Sequence, residues 1–234
     1  MKVAIHQPMY LAWQPLFSKI ASVDLFVFFD DVQYPRSRDF FNRNIIKTLN
    51  GEQYLTVPVK GKSALRTISE IKIDNDQPWQ RKHWQSILMS YRKTSFFSQF
   101  KGGFEDIYQN KSWEFLCDLN VTLIKLICNL IGIQTQFKVS SDLDLPPCKG
   151  IEHILNILKA TEASQYVTGQ GPGSLRYMDE RLFKQSGIEV VRCSYNQIKY
   201  PQLWGDFISE LSIVDLLFNC GTNSKNYLMK LINH

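Results

Sequence analysis

The chain reads as an α/β protein with a largely parallel sheet, flanking helices and a helical insertion. Short apolar runs such as "KVAI", "LFVFF" and "QYVTG" have the length of buried strands. Segments with apolar residues three and four apart lie between them, as amphipathic helices require. Strand and helix then alternate along the 234 residues, the pattern of repeated β-α-β units.

Residues 2–5 form a short buried strand that stops at His6, Gln7 and Pro8. Tyr10, Leu11, Trp13, Leu16, Phe17 and Ile20 recur at helical spacing, and a second apolar run over 25–29 ends in Asp30 and Asp31. The segment "EQYLTVPVK" is a strand candidate with Pro58 near its end. In "LRTISEIKI", Leu65, Ile68, Ile71 and Ile73 fit an edge or hairpin strand. Pro78 opens a helix on which Trp79, His83, Ile87 and Tyr91 share a face, widened by Trp84 and Leu88. A longer helix is predicted over 112–130, with Ser112 as N-cap, Glu114 in its first turn and Gly132 ending it.

Beyond it, "IQTQFKVSS" is a strand, "DLDLPPCKG" a turn-rich connection, and "GIEHILNILKATEA" an amphipathic helix feeding the buried strand "SQYVTG". A glycine-rich turn, a helix over 178–185, a strand over 188–192, an irregular stretch and a helix over 212–219 complete the reading. No repeat, low-complexity tract or linker is visible. A chain of this length with 44% hydrophobic residues buries its core as one domain, 1–234, or as two intimate lobes meeting near the double proline at 146–147.

Composition excludes several classes. General disorder is incompatible with the apolar content. Lys2 is followed by only three apolar residues and no apolar stretch approaches about 18 to 20 residues, so neither a signal peptide nor a transmembrane segment is expected and the location reads as cytoplasmic. Cys117, Cys128, Cys148, Cys193 and Cys220 are odd in number and form no CxxC pair. They read as buried small hydrophobes in a reducing compartment, none in a recognisable nucleophile motif. The net charge of +5 suits an anionic ligand or a negatively charged carrier and does not call for DNA.

The richest segment is 3–44, where two strands deliver His6 and the Asp30–Asp31 pair to one sheet edge. In open α/β sheets, ligands bind outside the carboxyl ends of the strands. Adjacent strand residues face opposite ways, so the two aspartates are poorly placed to share a metal ion, and no metal is assigned. Asn42 and Arg43 suit sugar hydroxyls and phosphate. Lys19 and Lys60 are further cationic candidates, and Gln7 accompanies His6. Tyr10 and Trp13 offer faces for stacking. The segment "TGQGPGSLRY" places Gly169, Gly171 and Gly173 between a strand and a helix, where backbone amides can receive a phosphate. It is neither a P-loop nor a GxGxxG fingerprint. His83, and Asp215 with Asn219 one helical turn later, are the remaining polar candidates.

"HQPMYLAWQPLFSKI", "VDLFVFFDDVQY", "FFNRNIIKTLNGEQYLTVPV", "WQRKHWQSI" and "LSIVDLLFNCG" resemble, in order and interval, blocks of the WbqC-like family. Ala12 stands where that family tends to have proline, and His153 where a basic residue is expected. Members occur in bacterial O-antigen and related gene clusters. The resemblance implies a glycyl or acyl transferase acting on the amine of a nucleotide-linked deoxyamino sugar. On that reading His6 is the general base and Asp30 or Asp31 orients its ring. The acyl donor stays open: a coenzyme A or carrier-protein thioester, the carrier being acidic, or an aminoacyl-tRNA. A free acid with ATP is the less favoured donor; it follows from the likeness of the strand, His-Pro turn and helix to nucleotidyltransferases, whose second, Lys-rich signature is missing here. The alternative is a non-catalytic sugar-nucleotide-binding or scaffold protein of the same pathway.

Overall fold

The computed structural model describes residues 1–34, 41–61, 66–176 and 178–233. Its centre is a six-stranded sheet of β1 (Lys2–His6), β2 (Leu25–Phe28), β5 (Gln136–Val139), β6 (Gln165–Gly169), β7 (Glu189–Tyr195) and β8 (Ile232–Asn233). The spatial order is β5-β2-β1-β6-β7-β8, parallel throughout except that β8 runs antiparallel to β7. A separate antiparallel hairpin is formed by β3 (Arg43–Thr48) and β4 (Gly51–Thr56).

Both faces of the central strands are buried, which is why they read as unbroken apolar runs. Val3, Ile5, Leu25, Val27 and Tyr166 pack on one face against Ile154, Leu155, Ile157 and Leu158 of α5 (Gly150–Ala160) and Phe183 of α7 (Glu180–Gln185). Ala4, Phe26, Phe28 and Val167 face a larger core built from α1 (Gln14–Ala21), α2 (Trp79–Tyr91), α3 (Phe97–Glu105), α4 (Leu116–Leu130), α8 (Ile213–Cys220) and α9 (Ser224–Leu231). The hairpin closes over this helical layer through Ile46 and Leu55. No described helix is long and apolar enough to cross a membrane.

Most elements fall where the periodicity puts them, with instructive exceptions. The region 66–73 is not a strand. Thr67 and Glu70 form a capping box that closes a short 3-10 turn over Ile68–Glu70, flanked by isolated bridges. Leu65, one of the four apolar residues cited for that strand, lies outside the described residues. The long helix starts at Leu116, with Phe115 rather than Ser112 at its N-cap, and is preceded by α3 and a π-helical turn over Asp106–Asn110. Tyr10 and Leu11 belong to a turn in which Leu11 takes φ 42°, so α1 begins only at Gln14, where Pro15 suits the first turn.

Asn44 holds that turn. Its Nδ2 donates to the Leu11 carbonyl at 2.8 Å while its Oδ1 accepts from the Ile45 amide at 2.8 Å. Asn120 of α4 works from the other side, donating to the carbonyls of Pro8 (3.2 Å) and Phe41 (2.9 Å). Buried amides thus fix the chain leaving β1, because unpaired carbonyls there would have no water to bond.

Gly221 ends α8 with φ 61°, and a Cβ there would lie 2.4 to 2.7 Å from ring atoms of Phe96. Gly221→Ala is therefore expected to destabilise the fold by about 2 kcal/mol or more, through left-handed strain plus overpacking. Urea unfolding with an unchanged m-value checks it.

Candidate functional site

The strand order reverses between β1 and β6: the chain runs outward through β2 to β5, then returns to the other side of β1 to lay down β6 and β7. A crevice opens at such a reversal because the two crossovers leave on opposite faces of the sheet. Here it holds a cavity of about 770 Å³. Ile5, His6 and Gln7 contribute from the end of β1, Phe29 from beyond β2, and Tyr166, Gly171, Gly173 and Ser174 from β6 and its following turn. Tyr34, Phe41, Gly150, Ile154 and Arg176 complete much of the wall.

His6 extends the Ala4 face of β1, toward α1. Its Nδ1–H donates to the Gln7 carbonyl at 2.9 Å, so Nε2 carries the lone pair. Burial, reinforced by the Lys19 ammonium, lowers its pKa to about 4 and keeps the ring neutral at physiological pH. Lys19 is itself buried in α1, with its pKa lowered by that burial, and its Nζ would lie 3.8 Å from a Cβ built on Gly169. Gly171 and Gly173 have open space where a side chain would project. The one-turn helix α6 (Pro172–Leu175) is capped by Gly171, contains Gly173 and leads to Arg176. Among the described residues that line the wall, Arg176 is cationic and none is a carboxylate.

His6, Gln7, Lys19 and the three glycines thus come together. The aspartates do not join them. Asp30 is buried against the turn after β5, its amide donating to Ser140 Oγ (3.1 Å) and its carboxylate accepting from the Ser141 amide (3.0 Å) and Ser141 Oγ (2.8 Å). Asp31 accepts from Ser140 Oγ at 2.5 Å and pairs at 2.8 Å with Nε2 of His153, on α5. The imidazole beside the acidic pair is therefore His153 rather than His6. In the sequence His153 stands out only as a departure from a family pattern, and the serines carry no signal of their own.

The other candidates lie elsewhere. Tyr10 is in the core, its hydroxyl bonded to Tyr108 Oη (2.5 Å) and His83 Nδ1 (2.8 Å). His83 also bonds the Thr56 carbonyl, and burial lowers its pKa to about 4. Trp13 lines a second, smaller cavity of about 380 Å³ with Tyr195, Tyr200, Phe207 and Tyr227. Asn42 donates to the Val57 carbonyl at 2.8 Å, and Arg43 stacks 4.9 Å over the Tyr54 ring, on the hairpin. Lys60 lies beyond β4, its amide donating to the Lys72 carbonyl. Asp215 is buried near Lys47, Tyr91, Tyr200 and Gln202, and burial raises its pKa to about 6. Asn219 bonds back to the Asp215 carbonyl at 2.8 Å within α8. Arg36 and Arg38 lie outside the described residues.

The model of the WbqC-like protein family matches residues 7–227. The chain belongs to the WbqC-like protein family. It is also 38% identical over 229 residues to the uncharacterized protein Rv1507c of Mycobacterium tuberculosis, which spans 97% of this chain and 97% of that relative. No solved structure matches. The WbqC-like match takes in Gln7, Lys19, both aspartates and the glycine turn, so its blocks run through the cavity wall as well as through the core.

Because Asp30 ties β2 to the turn after β5, Asp30→Ala is expected to cost about 3 kcal/mol in urea unfolding, whereas Asp31→Asn should cost less than half of that. Equal costs would contradict the division of labour between them.

His83 yields a pH prediction. Its pKa is about 4 in the folded protein against about 6.5 unfolded, so the folded state binds fewer protons. Its stabilisation is fully present above pH about 6.5 and is lost as pH falls toward 4, amounting to about 3 kcal/mol. His83→Gln should flatten the fall in Tm over that window.

Proposed function

We propose that the cavity between the ends of β1 and β6 binds a nucleotide-linked amino sugar, and that the protein transfers a glycyl or other acyl group to its amine. The observation that carries this reading is the neutral His6 imidazole, held with Nε2 free of its backbone bond and beside the buried Lys19, in a cavity whose described lining residues include no carboxylate. Family membership supports the placement, since the matched region, 7–227, takes in the described cavity wall apart from Ile5 and His6.

The chemistry follows from the groups present. Lys19 and Arg176 offset the diphosphate charge, and the side-chain-free Gly171 and Gly173 let it approach the backbone. Phe29, Tyr34, Phe41 and Tyr166 offer flat apolar surfaces to a base or sugar ring. An amine attacking an activated acyl carbon must lose a proton, and His6 Nε2 accepts it. A bound phosphate counters the Lys19 field that holds the His6 pKa down, so the imidazole becomes a better base once substrate is seated. The cavity volume falls in the range of small-molecule sites, about 300 to 1,000 Å³.

His6→Ala is expected to lower turnover at least ~100-fold while sugar-nucleotide affinity changes little. Lys19→Met should instead raise the Kd roughly tenfold, the loss of one charge-assisted contact. Calorimetric titration with UDP- and dTDP-linked amino sugars at one salt concentration, alongside mass-spectrometric detection of the amide product, separates the two effects. In wild type, kcat/KM should fall as pH drops through about 4, where His6 of the free protein takes up a proton. Unchanged turnover in His6→Ala would remove His6 from the chemistry, and binding of the sugar nucleotide without any amide product in wild type would leave a binding protein.

A further inference from the structure

Across the same crevice, on the opposite face of the sheet from His6, three side chains form a linear array. Cys148 Sγ lies 3.5 Å from His153 Nδ1, and His153 Nε2 lies 2.8 Å from Asp31 Oδ2. The carboxylate accepts the Nε2 proton, which leaves the Nδ1 lone pair directed at the thiol. Ser140 Oγ holds the other oxygen of Asp31, and Phe29 packs on the His153 ring with centroids 5.2 Å apart, so the imidazole is fixed in position. Sulfur and carboxylate sit on opposite nitrogens of one ring. No single metal ion could therefore be ligated by all three.

Asn156 Nδ2 donates to the sulfur at 3.3 Å. Cys148 lies two residues before the first turn of α5, whose N-cap residue Lys149 supplies no side-chain cap, so the first-turn amides of an eleven-residue helix are left for an incoming oxyanion. Cys117, Cys128, Cys193 and Cys220 are buried, whereas Cys148 is only partly so. Phe29, Gly150 and Ile154, which border the array, also line the cavity that holds His6.

We infer that Cys148, His153 and Asp31 form a nucleophilic triad that carries the acyl group as a thioester on its way from donor to amine. This rests on the transferase reading of the neighbouring cavity and names its donor class, an acyl thioester. The arrangement has the roles of a Cys-His-acid triad, which recur on unrelated folds and are recognised by geometry. In the first half, His153 Nδ1 takes the thiol proton and sulfur attacks the acyl carbon. The bond from that carbon to the donor sulfur breaks, and the departing thiolate takes the proton from His153. In the second half the sugar amine attacks the Cys148 thioester and its proton passes to His6. The carbon–sulfur bond breaks and the Cys148 thiolate is reprotonated from water as His6 releases its proton. One thioester and one amine are consumed; one amide and one thiol are formed.

Two measurements on the full chain decide it. Iodoacetamide labelling at neutral pH, followed by peptide mass spectrometry, is expected to modify Cys148 at least ~10-fold faster in wild type than in His153→Gln, with both proteins folded by circular dichroism. Equal rates would overturn the triad. Incubation with acetyl-coenzyme A or S-acetyl-N-acetylcysteamine and acid quenching should place one acetyl group on Cys148, retained in His6→Ala and lost in Cys148→Ser. Amide product formed by Cys148→Ala at the wild-type rate would overturn the triad while leaving the transferase reading intact. Acetyl-Cys148 with no amide from any amino-sugar nucleotide would support the triad and overturn the sugar reading.

Discussion

The reversal of strand order between β1 and β6 is the constraint on which the rest depends. Parallel neighbours need crossovers, and crossovers of one hand place helices on opposite faces when the chain changes direction across the sheet. At the change the two carboxyl ends lose their covering, and the space left there is the cavity of about 770 Å³. His6 and Gly169 are the last residues of the two strands that flank it. Their position follows from topology before any side-chain chemistry is considered.

Keeping that opening polar in a densely apolar protein requires anchors. Asn44 and Asn120 satisfy the carbonyls of the irregular chain after β1, and Asp30 secures the chain after β2 to Ser140 and Ser141. These groups are buried, so each lost bond would leave a partner with no water to replace it. They tie down the chain segments that lead into the crevice, and a site needs such anchoring to hold reacting atoms in place. Buried titratable groups set the limits of this anchoring in acid: His83 in the core and His6 in the cavity are both held neutral by burial.

The two faces of the sheet supply different chemistry to one opening. Alternation along β1 puts His6 on the side of α1, where Lys19 adds a buried cation. The chain after β2 puts Phe29 and Asp31 toward α5, where His153 and Cys148 await. In the proposed transfer, this separation lets His6 and Cys148 serve successive halves of the reaction without competing for space. That separation is also why Asp31 is within reach of His153 and not of His6.

The sequence by itself determined the fold class and the positions of the buried strands β1, β2 and β6. Hydrophobic runs and helical spacing are local consequences of burial, readable over a few residues. Thus β1, β2, α2, α5 and β6 were legible, as was the end of the long helix at Gly132. The Thr67–Glu70 capping box was equally local, yet the loose apolar spacing of the same segment suggested a strand. Only the tertiary structure decided the partners. Which histidine meets which aspartate depends on contacts between residues 31 and 153, far apart in sequence, and no periodicity encodes them. The same holds for Asn42, Arg43, Lys60, Asp215 and Asn219, polar residues that looked alike in sequence but that the packing of hairpin and helices leaves off the cavity wall. Local order is specified by neighbours along the chain; a site is specified by neighbours in space.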